Sequence, residues 1–196
     1  MFKPKHVYIE KEALDYTLGK ELKKQFEDMQ IPVDILESNR VNFLRGKSVQ
    51  EKYEIGKRVL VIGVRRTLEF QSCKPSAHYQ LPLVTGCIGK CEYCYLNTNL
   101  KDKPFTRIYV NLDDILKKAK RYTQTGKFKP TIFEGSATSD PVPVEPYTHA
   151  LAKSIEFFAK DPNTRFRFVT KFTDIDDLLH LKHNGHTEMR FSINTD

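Results

Sequence analysis

The sequence predicts an α/β fold in two parts: a small α/β N-terminal domain over residues 1–75, and the first strands and helices of a longer α/β series over residues 76–196. Three observations carry this expectation. Short apolar runs alternate with amphipathic stretches along the whole chain, the pattern of parallel strands joined by crossover helices. The stretch "FQSCKPSAHYQLP" interrupts that alternation with polar residues and prolines, placing a soft boundary near residue 75. Beyond it the alternation resumes.

The elements follow in order. "HVYIE" reads as a short strand. The next segment repeats Leu14, Leu18, Leu22 and Phe26 every four residues, which lines one face of a helix. "IPVDIL" is a second strand. Ser48 and Glu51 have the spacing of a capping box opening a short helix to about Lys57. "RVLVIGVRR" is apolar from Val59 to Val64 without alternation, as expected of a strand buried on both faces. "HYQLPLV" leads into a cysteine-rich loop. "RIYVNL" precedes a helix with Asn111 as its N-cap and Gly126 shortly beyond its end. "PTIFEGS" is a strand, Pro146 to Ala159 a helix, "RFRFVTKF" a strand, "DIDDLLHLK" a helix, and "EMRFSIN" a further strand. The chain stops where a helix should follow, so the reading expects the rest of a sheet to be missing or supplied by another chain.

Composition excludes several classes. With 39% hydrophobic residues, nine glycines and ten prolines, the chain is that of an ordinary globular protein. No apolar run is long enough to span a bilayer and the N-terminus lacks a signal core, so the expectation is a cytoplasmic protein without membrane contact. Four cysteines, three of them clustered, argue for a metal site over a disulfide framework. The net charge of +7 is compatible with a polyanionic partner; Arg65, Arg66, Lys127, Lys129, Arg165 and Arg167 are candidates for phosphate contacts or plain surface charge.

The chemistry concentrates in "CIGKCEYCYL", where Cys87, Cys91 and Cys94 are spaced C-x3-C-x2-C after a strand, with Gly86 and Gly89 in the loop. Zinc would need a fourth ligand, for which Cys73 or His78 is available. An iron–sulfur cluster is the alternative, because thiolates hold its irons directly. Three ligands on a four-iron cluster leave one iron open, and an open metal position admits a substrate or cofactor. Cys73, outside the motif, reads as a small buried thiol.

The C-x3-C-x2-C spacing, with the aromatic Tyr93 before the last cysteine, resembles the signature of the radical S-adenosylmethionine enzymes. The longer text "LPLVTGCIGKCEYCYLNTNL", with "FEGSATSDP" and "RFVTKF", is similar to the spore photoproduct lyase family across essentially all 196 residues, corresponding to the front part of that family's longer chain. The resemblance implies a partial (β/α) barrel of the radical S-adenosylmethionine type after the N-terminal domain, truncated here after the fourth barrel strand. It implies a [4Fe-4S] cluster on Cys87, Cys91 and Cys94. S-adenosylmethionine would then be cleaved to a 5′-deoxyadenosyl radical that reverses a thymine dimer, 5-thyminyl-5,6-dihydrothymine, in DNA. The implied cofactor contacts are Tyr93, Ser139 after the second barrel strand, Lys171 at the end of the third and Ser192 on the fourth. Tyr93 and Tyr95 match a pair implied to relay a hydrogen atom. An electron donor of flavodoxin or ferredoxin type and a monomeric full-length protein are also implied.

One residue departs from the family pattern. In "EGSATSD", Ala137 stands where the family has a cysteine implied to be the hydrogen donor, so clean turnover is expected to be impaired. Two further readings share parts of this evidence: a radical S-adenosylmethionine enzyme acting on a small molecule, and a zinc-stabilised nucleic-acid-binding module.

Overall fold

The structure is a computed structural model of the chain and describes residues 2–42, 44–100 and 103–193. The strands are β1 (His6–Glu10), β2 (Val33–Leu36), β3 (Val59–Gly63), β4 (Tyr79–Leu81), β5 (Val84–Thr85), β6 (Thr106–Tyr109), β7 (Thr131–Gly135), β8 (Thr164–Thr170) and β9 (Thr187–Phe191). The helices are α1 (Thr17–Asp28), α2 (Val49–Gly56), α3 (Leu96–Asn99), α4 (Leu112–Gln124), α5 (Glu145–Thr148), α6 (Ala150–Phe158) and α7 (Asp176–Leu179). Among the described residues, no helix is long and apolar enough to cross a membrane.

The chain folds into two compact units that interleave along the sequence: residues 2–64 with 84–110, and residues 65–83 with 111–196. The sequence reading instead divides the chain once, near residue 75. The interleaving has a local cause. "HYQLPLV" makes not one strand but two, β4 and β5, separated by Pro82, which has no N–H to give to a ladder. β4 pairs with β7 in one sheet and β5 with β6 in the other.

The first unit is built on a five-stranded sheet in the order β2-β1-β3-β6-β5. All its pairings are parallel except that of the two-residue β5, which runs antiparallel to β6. β3 is buried along its whole length, which explains its unbroken apolar sequence. Val59 and Val61 join Leu44 and Phe105 in one core cluster. The capping box of α2 forms as expected: the Glu51 amide donates to Ser48 Oγ at 3.2 Å, and the Ser48 amide to Glu51 Oε2 at 2.8 Å. The periodic segment from Leu14 is interrupted, because Tyr16 is extended and α1 starts only at Thr17.

The second unit carries a wholly parallel sheet in the order β4-β7-β8-β9. Strict alternation along β8 buries Phe166 and Phe168, and Phe133, Phe158 and Phe166 stack with centroids 5.0 and 5.4 Å apart. These stacked rings form part of the core packed on this sheet.

Two local expectations change. Asn111 precedes α4 but makes no side-chain cap; its amide instead brackets the Arg65 backbone, accepting from the Arg65 N–H at 2.8 Å and donating to the Arg65 carbonyl at 3.0 Å. The helix expected over Pro146 to Ala159 breaks at His149, which is left-handed with φ 48°. The break is organised by buried Glu145, whose carboxylate accepts the amides of Leu151 (2.7 Å) and Ala152 (2.9 Å) and so caps α6 from the preceding turn.

Candidate functional site

The sequence-predicted residues fall into two groups, one in each unit. In the first unit, β5 delivers the chain to the cysteine loop through Gly86. Its φ is +77°, and a Cβ there would strike the Phe105 carbonyl oxygen, so only glycine fits this entry. Thr85 Oγ1 and the Tyr109 hydroxyl hydrogen-bond at 2.7 Å across the same strand pair. The loop then curls on itself. The Gly89 amide donates to Cys87 Sγ at 3.3 Å, and the Cys94 amide to the Cys91 carbonyl at 3.1 Å. A Cβ placed on Gly89 would stand 3.3 Å from Cys87 Sγ and 3.8 Å from Cys91 Sγ, so both sulfurs border the same glycine.

Helix α2 grips this loop at two points. Lys57, its C-cap residue and only 5% exposed, donates from Nζ to the Cys87 carbonyl at 2.7 Å. Glu54 accepts from Lys90 Nζ in the loop at 3.1 Å while also pairing with Arg58. Burial pushes the Lys57 ammonium below the usual lysine range, and the Cys87, Cys94 and Cys91 thiols pull it back up. Burial pushes the Tyr53 hydroxyl up, with smaller contributions from Glu54 and the same three cysteines. Two buried or half-buried side chains of α2 therefore feel all three thiols. Tyr93 and Tyr95 project from the loop, 64% and 56% exposed.

All four cysteines are half-buried thiols and none forms a disulfide. Among the described residues, no three His, Cys, Asp or Glu side chains converge closely enough to hold a metal ion. The donor set nonetheless suits an iron–sulfur cluster: three thiols within eight residues of one loop, and a backbone N–H already directed at a sulfur. Cys73 lies in the other unit; burial first, then Glu134, pushes its thiol up, as expected of a packing residue. His78 receives the Ile132 amide on Nδ1 and stacks on Phe128 at 3.8 Å.

In the second unit, the remaining residues line up at the C-terminal ends of parallel strands. Ala137 and Ser139 follow β7, Lys171 follows β8 and Ser192 follows β9. The turn after β7 opens with Ser136 at φ 55°, anchored by its amide on the Leu81 carbonyl at 2.9 Å and closed by the Ser139 amide on the Ser136 carbonyl at 2.8 Å. Lys171 Nζ donates to the Ser192 carbonyl at 3.2 Å, and the Ser192 amide to the Thr170 carbonyl at 2.8 Å. Ser192 thus sits one residue past β9 rather than on it.

The residue that ties this edge together is one the sequence reading missed. Buried Asp140 accepts the Lys171 amide (2.9 Å) and the Thr170 hydroxyl (3.0 Å) on Oδ2, and the Val142 amide (3.2 Å) on Oδ1. It fastens the loop after β7 to the end of β8. Burial pushes its carboxyl above the usual carboxylate range, while these three hydrogen bonds hold it down. A carboxylate between a serine and a proline carried no periodic signal that would have singled it out.

The phosphate-contact candidates are partly committed elsewhere. Arg167 donates to the Ser76 carbonyl and pairs with Glu188, in a network that also holds Ser76 against buried Glu134 (2.5 Å) and Arg190 against Glu188 (2.9 Å). Arg165 donates to the Pro162 and Thr164 carbonyls. Lys127 lies over the Phe128 ring, and Arg65 Nε donates to the Thr67 carbonyl.

Comparison with known proteins gives the family. Residues 2–196 match the profile of the family described as spore photoproduct lyase. The spore photoproduct lyase of Clostridium acetobutylicum is 53% identical over 191 residues, covering 97% of this chain and 57% of that protein. That of Bacillus subtilis is 47% identical, covering 100% of this chain and again 57% of the relative. A solved double mutant of spore photoproduct lyase, with bound AdoMet and dinucleoside spore photoproduct, superposes with a TM-score of 0.94 at 50% identity, over 99% of this chain and 57% of its own. The chain therefore spans somewhat over half the length of these relatives, and it belongs to the spore photoproduct lyase family.

Proposed function

We propose that this chain is the front portion of a DNA-repair lyase that returns the spore photoproduct, 5-thyminyl-5,6-dihydrothymine, to two thymines using S-adenosylmethionine and a [4Fe-4S] cluster. The observation that carries the reading is the glycine-framed loop holding Cys87, Cys91 and Cys94 as three thiols bordered by a backbone N–H donor. A structure of a relative with AdoMet and the dinucleoside lesion bound supports the choice of cofactor and substrate. In this proposal β4, β7, β8 and β9 are the first four strands of a partial barrel.

When bound, the cluster and S-adenosylmethionine supply a one-electron reductant and a carbon-centred radical. The chain's own residues do the positioning. Cys87, Cys91 and Cys94 would hold the cluster. Lys171, exposed at the end of β8, offers an ammonium to a carboxylate, and Ser139 and Ser192 offer hydroxyls to the nucleoside or amino-acid part of the cofactor. Tyr93 would lie beside the bound cofactor, and its phenol and that of Tyr95, both largely exposed, would relay a hydrogen atom. Ala137 occupies the place of the hydrogen donor. A methyl C–H is too strong to be given up to a thymine radical, so the last step of clean repair is impaired. Extrusion of the lesion from the duplex is easiest at a damaged, poorly stacked step. The partners are lesion-containing DNA and a flavodoxin- or ferredoxin-type reductant; the full-length protein works as a monomer in the cytoplasm.

The test is anaerobic reconstitution of the full-length protein with iron and sulfide, followed by dithionite, S-adenosylmethionine and an oligonucleotide carrying the lesion. The expected result is a brown protein that releases 5′-deoxyadenosine and consumes the lesion. A colourless protein with stoichiometric zinc and no 5′-deoxyadenosine would favour the nucleic-acid-binding module, and cofactor cleavage with no lesion consumed would favour a small-molecule substrate.

A further inference from the structure

Lys57 is a charged side chain buried in the first unit with no carboxylate within ion-pair distance of it among the described residues. It is 5% exposed, and its Nζ makes a 2.7 Å hydrogen bond to the Cys87 carbonyl and lies 5.2 Å from the centroid of the Tyr53 ring. Carbonyl and ring are neutral. A buried ammonium held by dipoles alone is costly, and such a group is normally retained opposite a negative charge. The near-neighbour carboxylate on α2, Glu54, is turned to Arg58 and Lys90. What Lys57 does face is the loop of Cys87, Cys91 and Cys94, which it meets through its hydrogen bond to the Cys87 carbonyl.

We infer that Lys57 is a positioning residue whose buried positive charge is the counter-ion of an anionic thiolate-bound cluster and sets its reduction potential. The inference rests on the cluster reading above. A cubane on three thiolates is negative and gains a further negative charge on one-electron reduction. A fixed cation hydrogen-bonded to the loop that carries it favours the reduced form, and burial keeps the effect from being screened by salt. The hydrogen bond to the Cys87 carbonyl places that charge reproducibly, since Cys87 is the first residue of the motif. Lys90, half-exposed and already paired with Glu54, is a weaker candidate for the same task.

The experiment is a potentiometric titration of the anaerobically reconstituted full-length protein, followed by electron paramagnetic resonance, without substrate. Lys57→Gln retains an N–H donor and removes the charge; Lys57→Arg retains the charge; Lys57→Met removes both. With iron and sulfide contents equal to wild type, Lys57→Gln and Lys57→Met should lower the equilibrium constant for reduction at least tenfold, a 59 mV fall for a one-electron couple. Lys57→Arg should stay close to wild type. Potentials unchanged in both neutral variants would overturn the inference. So would loss of iron from both with full retention in Lys57→Arg, because the lysine would then act in assembly and not in setting the potential. A wild-type protein that never takes up a cluster fails the proposed function itself, which separates the two claims.

Discussion

Asp140 offers the sharpest test of how the second unit presents its strand ends. Replacing it with alanine removes the acceptor of three hydrogen bonds at once: from the Lys171 amide, the Thr170 hydroxyl and the Val142 amide. Hydrogen bonds to a charged group contribute about 1.5–3 kcal/mol each, and two of these donors are backbone amides with no obvious substitute. Two effects reduce the total. Burial already disfavours the carboxylate, and the Thr170 hydroxyl has the Phe172 carbonyl at 3.4 Å as a second acceptor. A net loss of about 3 kcal/mol is expected for Asp140→Ala, and about 2 kcal/mol for Asp140→Asn, whose amide keeps one acceptor but turns an N–H toward an amide donor. The loop bearing Ser139 and the backbone of Lys171 lose their common anchor, so S-adenosylmethionine should bind about tenfold more weakly, ~1.4 kcal/mol. Thermal unfolding and equilibrium binding to the reconstituted full-length protein read the two effects. Stability within about 1 kcal/mol of wild type together with an unchanged cofactor affinity in Asp140→Ala would refute the argument.

Three further outcomes are expected. Glu145 is pushed up to about 7 by burial, against the pull of the α6 amides it caps. A raised carboxyl pKa makes the folded state hold a proton that the unfolded state has lost, so stability is full below about pH 4.5 and declines as pH rises toward 7, by about 3 kcal/mol in all. Glu145→Gln should flatten that decline in denaturant unfolding between pH 5 and 8; parallel curves would contradict it. Gly86→Ala forces a Cβ against the Phe105 carbonyl at a positive φ, so the cysteine loop should shift and hold less iron after reconstitution, with a stability loss of about 2 kcal/mol; full iron content and an unchanged melting point would count against that geometry. Ala137→Cys should raise the share of lesion returned to thymine at the expense of side products. An unchanged product ratio would mean that the hydrogen comes from elsewhere, and Cys73→Ala then tests the one cysteine of these 196 residues outside the C-x3-C-x2-C loop.

The legible features were those written in contiguous residues. Ser48 and Glu51 specify their capping box because both partners lie within one helical turn, and nothing distant competes for them. The unbroken apolar run of β3 announces burial on both faces, and the C-x3-C-x2-C loop carries its donor chemistry in eight residues. The order of β4, β7, β8 and β9 likewise follows the order in which the runs occur. Where the reading went astray, an expected pattern yielded to a side-chain hydrogen bond that no periodicity records. Asn111 looks like an N-cap, but the Arg65 backbone, 46 residues earlier, takes its amide. His149 sits inside a helical pattern, yet Glu145 caps a new helix just beyond it.

Strand and helix identity, the thiol motif and the family resemblance were thus determined by the sequence alone, because each depends on residues that are neighbours in the chain. The tertiary structure decided that Pro82 parts one apolar run between two sheets, that Lys57 reaches the Cys87 carbonyl 30 residues away, and that Asp140 joins the loop after β7 to Lys171. Each of these is a contact between distant segments, in which a buried donor or acceptor must be satisfied by whatever group the fold brings alongside it, and no local pattern records which group that will be.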